Sequence, residues 1–308
     1  MGNYMELYLI TGFLGAGKTT FLKQFIRLFQ GKRIHLVINE FGKEGVDGDL
    51  VREIGAVLSE INNGSIFCAC KIDKFEEELQ SIVTQTPDVI LVEASGLADP
   101  TNIRKVLDTP AFSAIDYRGS VCLVDSVRFS KVVTTARVVA KQVKVSTLAL
   151  VNKTDLATAQ QLAQVEEELR GINPLIHLQQ TTFGVMEPAW LDLLSPDIAV
   201  SEEAIHQDIT LQKASITLAE SVDLPTLKGI LTILGEGTYR VKGFVRLGGQ
   251  LHLVNAVGSY IRMEPYAGAH GQVNTLVALA GAGMSLRKTA KEAKSMYPEA
   301  ITVISHGG

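Results

Sequence analysis

The sequence predicts an α/β domain with a mainly parallel sheet, followed by a smaller α+β domain. Three observations carry that expectation. Short runs that are apolar at nearly every position alternate with helix-like segments up to about residue 180, the stretch GFLGAGKTT sits between the first such run and the first helix, and the alternation stops after Trp190. Runs of this kind fit strands buried on both faces of a parallel sheet, whose ligands collect at the carboxyl ends of the strands.

Taken in order, Glu6 to Thr11 reads as the first strand, Lys18 to Phe29 has helical spacing, and Arg33 to Asn39 is strand-like again. Asp88 to Glu93, Ser120 to Asp125 and Ser146 to Asn152 are three further β-rich runs, each next to a candidate helix. Residues 1–190 form the expected first domain and the polar stretch 191–207 a connector, with the second domain at 208–308. There, 208–218 and 239–263 read as strands with a helix from Asp223 to Leu234 between them. The small-residue tract LVALAGAGMS, residues 276–285, reads as a loop or strand end, and SLRKTAKEAKSMYPEA as a helix.

Apolar residues make up 46% of the 308 and charged residues 20%, which excludes a disordered chain. A net charge of −4 offers no bulk attraction to nucleic acid or an anionic membrane, and neither is expected as a partner. With no 18-residue apolar run, no basic leader before the first strand and only three cysteines, the expected location is cytoplasmic.

Gly12 to Thr20 satisfies G-x-x-x-x-G-K-[ST], the phosphate loop of P-loop NTPases. Its glycines, Gly12, Gly15 and Gly17, let consecutive backbone N–H groups around Ala16 curl about phosphate oxygens. Lys18 neutralises the β and γ phosphates, Thr19 can place its hydroxyl on Mg2+, and Thr20 continues the helix whose positive end faces the same oxygens. In NKTD, Asn152, Lys153 and Asp155 follow a buried strand; Asp155 can accept both N1–H and the exocyclic amine of guanine, a pair adenine cannot offer. The expected nucleotide is therefore GTP, or GDP after hydrolysis. In DVILVEASGLADP, Glu93 ends a hydrophobic strand as a Walker-B acid, near enough to act on Mg2+ or its water, and Gly96 can present its N–H to the γ-phosphate. The next strand ends in Asp125; either acid also reads as a helix cap, the more natural reading for Asp125.

GFLGAGKTT, NEFG at Asn39 to Gly42, the Asn-Gly before the cysteine segment, EASGLADP, CLVD and NKTD, in that order, resemble the CobW family of P-loop GTPases. GTYRVKGFVRL at Gly237 to Leu247 resembles the opening of that family's C-terminal domain. The resemblance implies a GTP-hydrolysing metallochaperone, or a factor that inserts a metal or corrinoid cofactor. It implies Mg2+ at the nucleotide, and Zn2+, Co2+ or another transition metal elsewhere. The implied partners are a client metalloenzyme or corrinoid protein and a second copy in a homodimer. It also makes NEFGKEGVDGDL the switch-like segment, in which Asp47 or Asp49 orients the attacking water or holds Mg2+ through water, Asp47 being preferred for its place after NEFG, beside the catalytic groups Lys18 and Glu93.

The family's metal signature is G-C-x-C-C. Aligned on Gly64, this chain has G-S-I-F-C: Ser65 and Phe67 stand where two cysteines are expected, Cys68 is in register and Cys70 lies beyond. A tetrahedral site wants three or four ligands, and Glu40 would join Cys68 and Cys70 as the family's metal-touching acid. Three readings of the two thiols stay open: metal contact, structural pair, or redox pair. The alternative function is a nucleotide-gated regulatory or scaffold protein without metal transfer. Cys122, inside a buried strand, reads as core.

Overall fold

The structure is a computed structural model and describes residues 4–38, 55–60, 72–196, 212–258, 260–268, 272–281 and 284–307. The chain divides into two compact units, Met1–Gln207 and Asp208–Gly308.

In the first unit the strands are β1 (Met5–Gly12), β2 (Ile34–Ile38), β3 (Val57–Glu60), β4 (Val89–Glu93), β5 (Ile115–Asp125), β6 (Leu148–Asn152) and β7 (His177–Gln180). The helices are α1 (Lys18–Phe25), α2 (Ile72–Gln85), α3 (Ile103–Leu107), α4 (Phe129–Thr135), α5 (Arg137–Lys144) and α6 (Ala159–Ile172). The sheet runs β3-β2-β4-β1-β5-β6-β7 with every pair parallel. Every residue of β2, β4 and β6 is buried, as expected for strands covered on both faces.

Alternation along β1 sorts its side chains between two cores. Tyr8 and Ile10 join Phe21, Phe25 and Phe29 on one face, while Leu7 and Leu9 join Phe75, Leu79 and Ile103 on the other. Tyr8 packs edge-on to Phe25 at 5.6 Å between centroids, and Phe21 stacks on Phe25 at 4.9 Å. The expected helix over Lys18 to Phe29 tightens after Phe25 into a 3₁₀ turn at Ile26–Phe29.

Register decides what meets at the carboxyl edge. Glu93 lies level with Ile10 and with Ile38, Gly12 with Leu123, and Asp125 with Asn152. Residues far apart in sequence therefore end on one rim. The connector begins later than residue 191, because Leu191, Leu193 and Leu194 still pack on the first core.

The second unit is a six-stranded sheet, β11-β10-β9-β12-β8-β13, in which neighbouring strands are antiparallel. Its strands are β8 (Gln212–Leu218), β9 (Arg240–Leu247), β10 (Gln250–Val257), β11 (Tyr260–Pro265), β12 (Thr275–Ala280) and β13 (Ile301–Gly307), with helices α7 (Leu224–Glu236) and α8 (Leu286–Met296). β12 alternates half-buried and buried residues, the pattern of a sheet with one covered face. Leu227, Ile230 and Leu231 of α7 and Ala290 and Ala293 of α8 supply that cover. The run 239–263, read as strands, divides into β9, β10 and the start of β11, turned by Gly248 and Gly249 (φ 56° and 84°) and by Gly258 (φ 62°), and the first half of the small-residue tract, read as a loop or strand end, is strand β12.

Candidate nucleotide site

The phosphate loop begins where β1 stops. At Gly12, φ is 132° and a Cβ would stand 2.4 Å from the Leu123 carbonyl oxygen of β5, so only glycine lets the chain leave the sheet there. The loop closes with the Ala16 N–H donating to the Phe13 carbonyl at 3.2 Å. Gly15 and Gly17 also have positive φ, and Gly17 caps α1, accepting from the Phe21 N–H at 2.9 Å. A Cβ on Gly17 would meet the Asn152 amide nitrogen at 2.5 Å. Lys18 is 9% exposed, and its ammonium donates to the carbonyls of Gly12 at 2.9 Å and Phe13 at 3.3 Å, which holds the charge inside the curl of the loop. Thr19 is half-buried and Thr20 exposed at the start of α1.

Glu93 closes β4 and is 2% exposed. The next residue stays on the sheet edge, its N–H donating to the Ile10 carbonyl at 2.9 Å, and then Ser95 to Ala98 form a turn closed at 2.9 Å. A Cβ on Gly96 would lie 2.8 Å from the Leu14 nitrogen, so this turn rests directly on the phosphate loop. The hydroxyl of Thr19 and the carboxylate of Glu93 are hard oxygen donors of the kind Mg2+ takes while keeping several waters.

Asn152 is 2% exposed and both ends of its amide are committed to backbone. Nδ2 donates to the Ala16 carbonyl at 2.9 Å, and Oδ1 accepts from the Gly184 N–H at 3.0 Å. The two partners fix which end is oxygen. Lys153 adopts the left-handed conformation at φ 64°, which turns its ammonium onto Asp125 at 2.5 Å. The other oxygen of Asp125 accepts from the N–H groups of Val127 and Arg128, so alongside the ion pair Asp125 closes the turn ahead of α4, whose own N-cap is Arg128; the expected helix cap is corrected to a turn. Asp155 follows in an exposed turn, open to a base.

Sequence reasoning missed the turn after β7. Thr154 Oγ1 donates to the Thr181 carbonyl at 3.1 Å and lies 3.0 Å from Thr182 Oγ1, while Thr181 Oγ1 donates to the Val185 carbonyl at 2.7 Å. Gly184, at φ 65°, sits so close to α1 that a Cβ would be 2.7 Å from the Phe21 Cα. This turn thus walls the NKTD loop from the far side. β7 carries no buried residue, so the hydrophobic period that revealed the other strands is absent. The sequence signal there was Gly184, which takes φ 65° behind Phe183 at φ 55°.

Buried Cys122 lies on β5 level with Thr11. Burial pushes its thiol up to about 12, against the opposing pull of Lys18 and a hydrogen bond with Ser146. Glu40, Asp47, Asp49, Cys68 and Cys70 lie outside the described residues. Among the described residues no group of three or more His, Cys, Asp or Glu side chains is placed to hold a metal ion. Nor, among them, is any helix long and apolar enough to cross a membrane.

Residues 6–180 match the family model described as the CobW/HypB/UreG nucleotide-binding domain, and residues 211–294 match the cobalamin synthesis protein cobW C-terminal domain. The chain is 40% identical over 126 residues to a zinc chaperone CobW of Sinorhizobium, a stretch covering 38% of this chain and 35% of that one. It is 30% identical over 293 residues to the zinc chaperone CobW of Pseudomonas aeruginosa, covering 80% and 78%. A zinc-regulated GTPase metalloprotein activator of Schizosaccharomyces pombe is 27% identical over 218 residues, covering 67% and 53%. The chain therefore spans less than two-thirds of the first and third of these relatives.

Proposed function

The chain belongs to the CobW/HypB/UreG family of P-loop GTPases, and from that premise we propose that it spends GTP hydrolysis on delivering a metal ion to a client protein. The observation that carries the nucleotide half is the Asn152 amide, which joins the phosphate loop at Ala16 to the turn at Gly184 behind NKTD. The two signals distant in sequence are thereby parts of one site.

In this reading Asp155 selects guanine by accepting two donors, and Gly12 to Thr20 hold the phosphates. Lys18 leaves the Gly12 and Phe13 carbonyls for the β and γ oxygens and offsets the charge that builds there. Water attacks the γ-phosphorus in line, the bond to the β–γ bridging oxygen breaks, and GDP and phosphate leave. Asp47 orients that water. Thr19 and Glu93 would hold Mg2+, directly or through water, which when bound offsets charge on the β and γ phosphates. Removal of Lys18 should lower turnover about 100-fold or more, the scale for a lost donor to transition-state charge. Unchanged turnover in Lys18→Ala would defeat the assignment, and unchanged guanine preference in Asp155→Asn would move base recognition elsewhere.

The names of the relatives support zinc as the cargo; the contacts proposed for it, Cys68, Cys70 and Glu40, come from the sequence alone. A corrinoid protein as client is the narrower variant of this proposal, and a homodimer its assembly. One sequence observation favours the second reading, a nucleotide-gated scaffold: Ser65 and Phe67 replace two expected thiols. Anaerobic Zn2+ and Co2+ titrations, with and without a nonhydrolysable GTP analogue, on wild type, Cys68→Ser and Cys70→Ser separate the two. Nucleotide-dependent binding lost in both variants supports delivery. No binding tighter than about 10 μM in either state, short of about 7 kcal/mol, would leave the scaffold.

A further inference from the structure

Two adjacent side chains of α5 grip the turn that follows Glu93. Gln142 is fully buried, and its Nε2 donates to the Gly96 carbonyl at 3.2 Å and the Ala98 carbonyl at 3.1 Å. Lys141 places its ammonium 2.6 Å from Asp99 Oδ2, one residue further on. Neighbours on a helix diverge, so the turn is held from two directions.

A buried polar side chain is retained only where its hydrogen bonds justify the desolvation. Those of Gln142 go to a turn that touches the phosphate loop, through Gly96 on Leu14. Its Oε1 has no hydrogen-bond partner among the described residues, and the residue lines a small cavity beside that loop together with Leu14, Asp125 and Arg128. The grip also has a rigid backing. Ser146 Oγ donates to the Gln142 carbonyl at 2.8 Å and lies 2.9 Å from Ser120 Oγ of β5. Asn173, at the end of α6, donates through Nδ2 to the carbonyls of Val143 at 3.2 Å and Ser146 at 2.9 Å. α5 is thus tied to the sheet and to α6 behind it, and to the phosphate end in front.

We propose that Gln142, assisted by Lys141, is a positioning residue that sets the Ser95–Asp99 turn against the phosphate loop and so governs hydrolysis of GTP while leaving retention of the nucleotide to other residues. The inference rests on the GTPase reading. It predicts a split between two measurements, because GDP lacks the γ-phosphate that this turn faces in that reading.

The test is single-turnover GTP hydrolysis together with GDP affinity for wild type, Gln142→Leu, Lys141→Glu and the double variant Lys141→Glu with Asp99→Lys. Gln142→Leu should lower the rate about 10- to 100-fold, the scale of a misplacement near 1 Å, with GDP affinity within about threefold of wild type. Lys141→Glu should lower the rate less, and the charge-reversed pair should recover most of it. A Gln142→Leu rate within about twofold of wild type, or GDP affinity that falls in parallel with the rate, overturns the proposal. If that variant does not fold, the charge pair decides: recovery supports the proposal and no recovery overturns it. A wild type that binds no guanine nucleotide would instead sink the GTPase reading and this inference with it.

Discussion

Asn152→Ala isolates the tie between the two halves of the nucleotide site. The substitution removes the donor to the Ala16 carbonyl and the acceptor of the Gly184 N–H, both buried bonds. A buried backbone group left without its partner costs about 1–3 kcal/mol, and there are two. Water entering the space of a deleted amide offsets part of that, so a loss of about 2–4 kcal/mol is expected. For a unit of this size each kcal/mol lowers the melting temperature by about 2–4 °C, so the first unit should melt about 4–16 °C lower. GDP affinity should fall about 10- to 100-fold, or 1.4–2.8 kcal/mol, because the loop at Gly17 and the turn at Gly184 are no longer held together. Thermal denaturation and titration with a fluorescent GDP analogue measure the two effects. Asn152→Asp serves as the control: it keeps an acceptor for Gly184 but sets an oxygen against the Ala16 carbonyl, so it too should destabilise at neutral pH. A melting temperature within about 1 °C of wild type and affinity within about twofold in Asn152→Ala would refute the reasoning.

Three further outcomes follow from the same geometry. Gly12→Ala must part β1 from β5 at the Leu123 carbonyl and should lose more than about 3 kcal/mol, whereas Gly31→Ala meets nothing within 4 Å and pays only for its φ of 87°; equal urea midpoints for the two would contradict this. In a protein lacking Cys68 and Cys70, buried Cys122 should resist an alkylating reagent at pH 8 while folded and take up one equivalent in denaturant, as counted by mass. Its thiol, raised to about 12, stays protonated there when folded, while the unfolded thiol at about 8.5 begins to ionise; rapid native labelling would place it outside the core. His35 is buried on β2 with Nε2 2.8 Å from Ser59 Oγ, and burial lowers its pKa below the ordinary value. The unfolded state then binds the extra proton, so this residue's contribution is present at neutral pH and is lost as pH falls through about 6.5 towards the folded pKa. His35→Gln should therefore lose less melting temperature than wild type between pH 7 and pH 5, and identical slopes would refute the assignment.

Much of the first unit was legible in the sequence because its central strands are buried on both faces and write that burial as unbroken apolar runs. β1, β2, β4, the second half of β5, and β6 were found this way, and GFLGAGKTT and NKTD fell at the ends of β1 and β6. β3 and β7 were not seen, since both lie at sheet edges where burial is partial. In the second unit β13 is an edge strand as well, and β12 was hidden because its buried face, Leu276, Ala278 and Ala280, is mostly alanine and runs straight on into the small residues Gly281 to Gly283.

The sequence by itself determined the chemistry of the phosphate loop, for there the geometry is local: glycines at set spacing, then a lysine and a threonine on the helix that follows. It also assigned the chain to a family through six motifs in order. Only the tertiary structure decided that Asn152 holds the phosphate loop, that Lys153 pairs with Asp125, and that Gln142 reaches the turn after Glu93. Those contacts span 136, 28 and 46 positions in the chain. Each depends on which strands are neighbours and in what register, and a hydrogen bond of about 3 Å across such a separation leaves no period in the sequence that forms it.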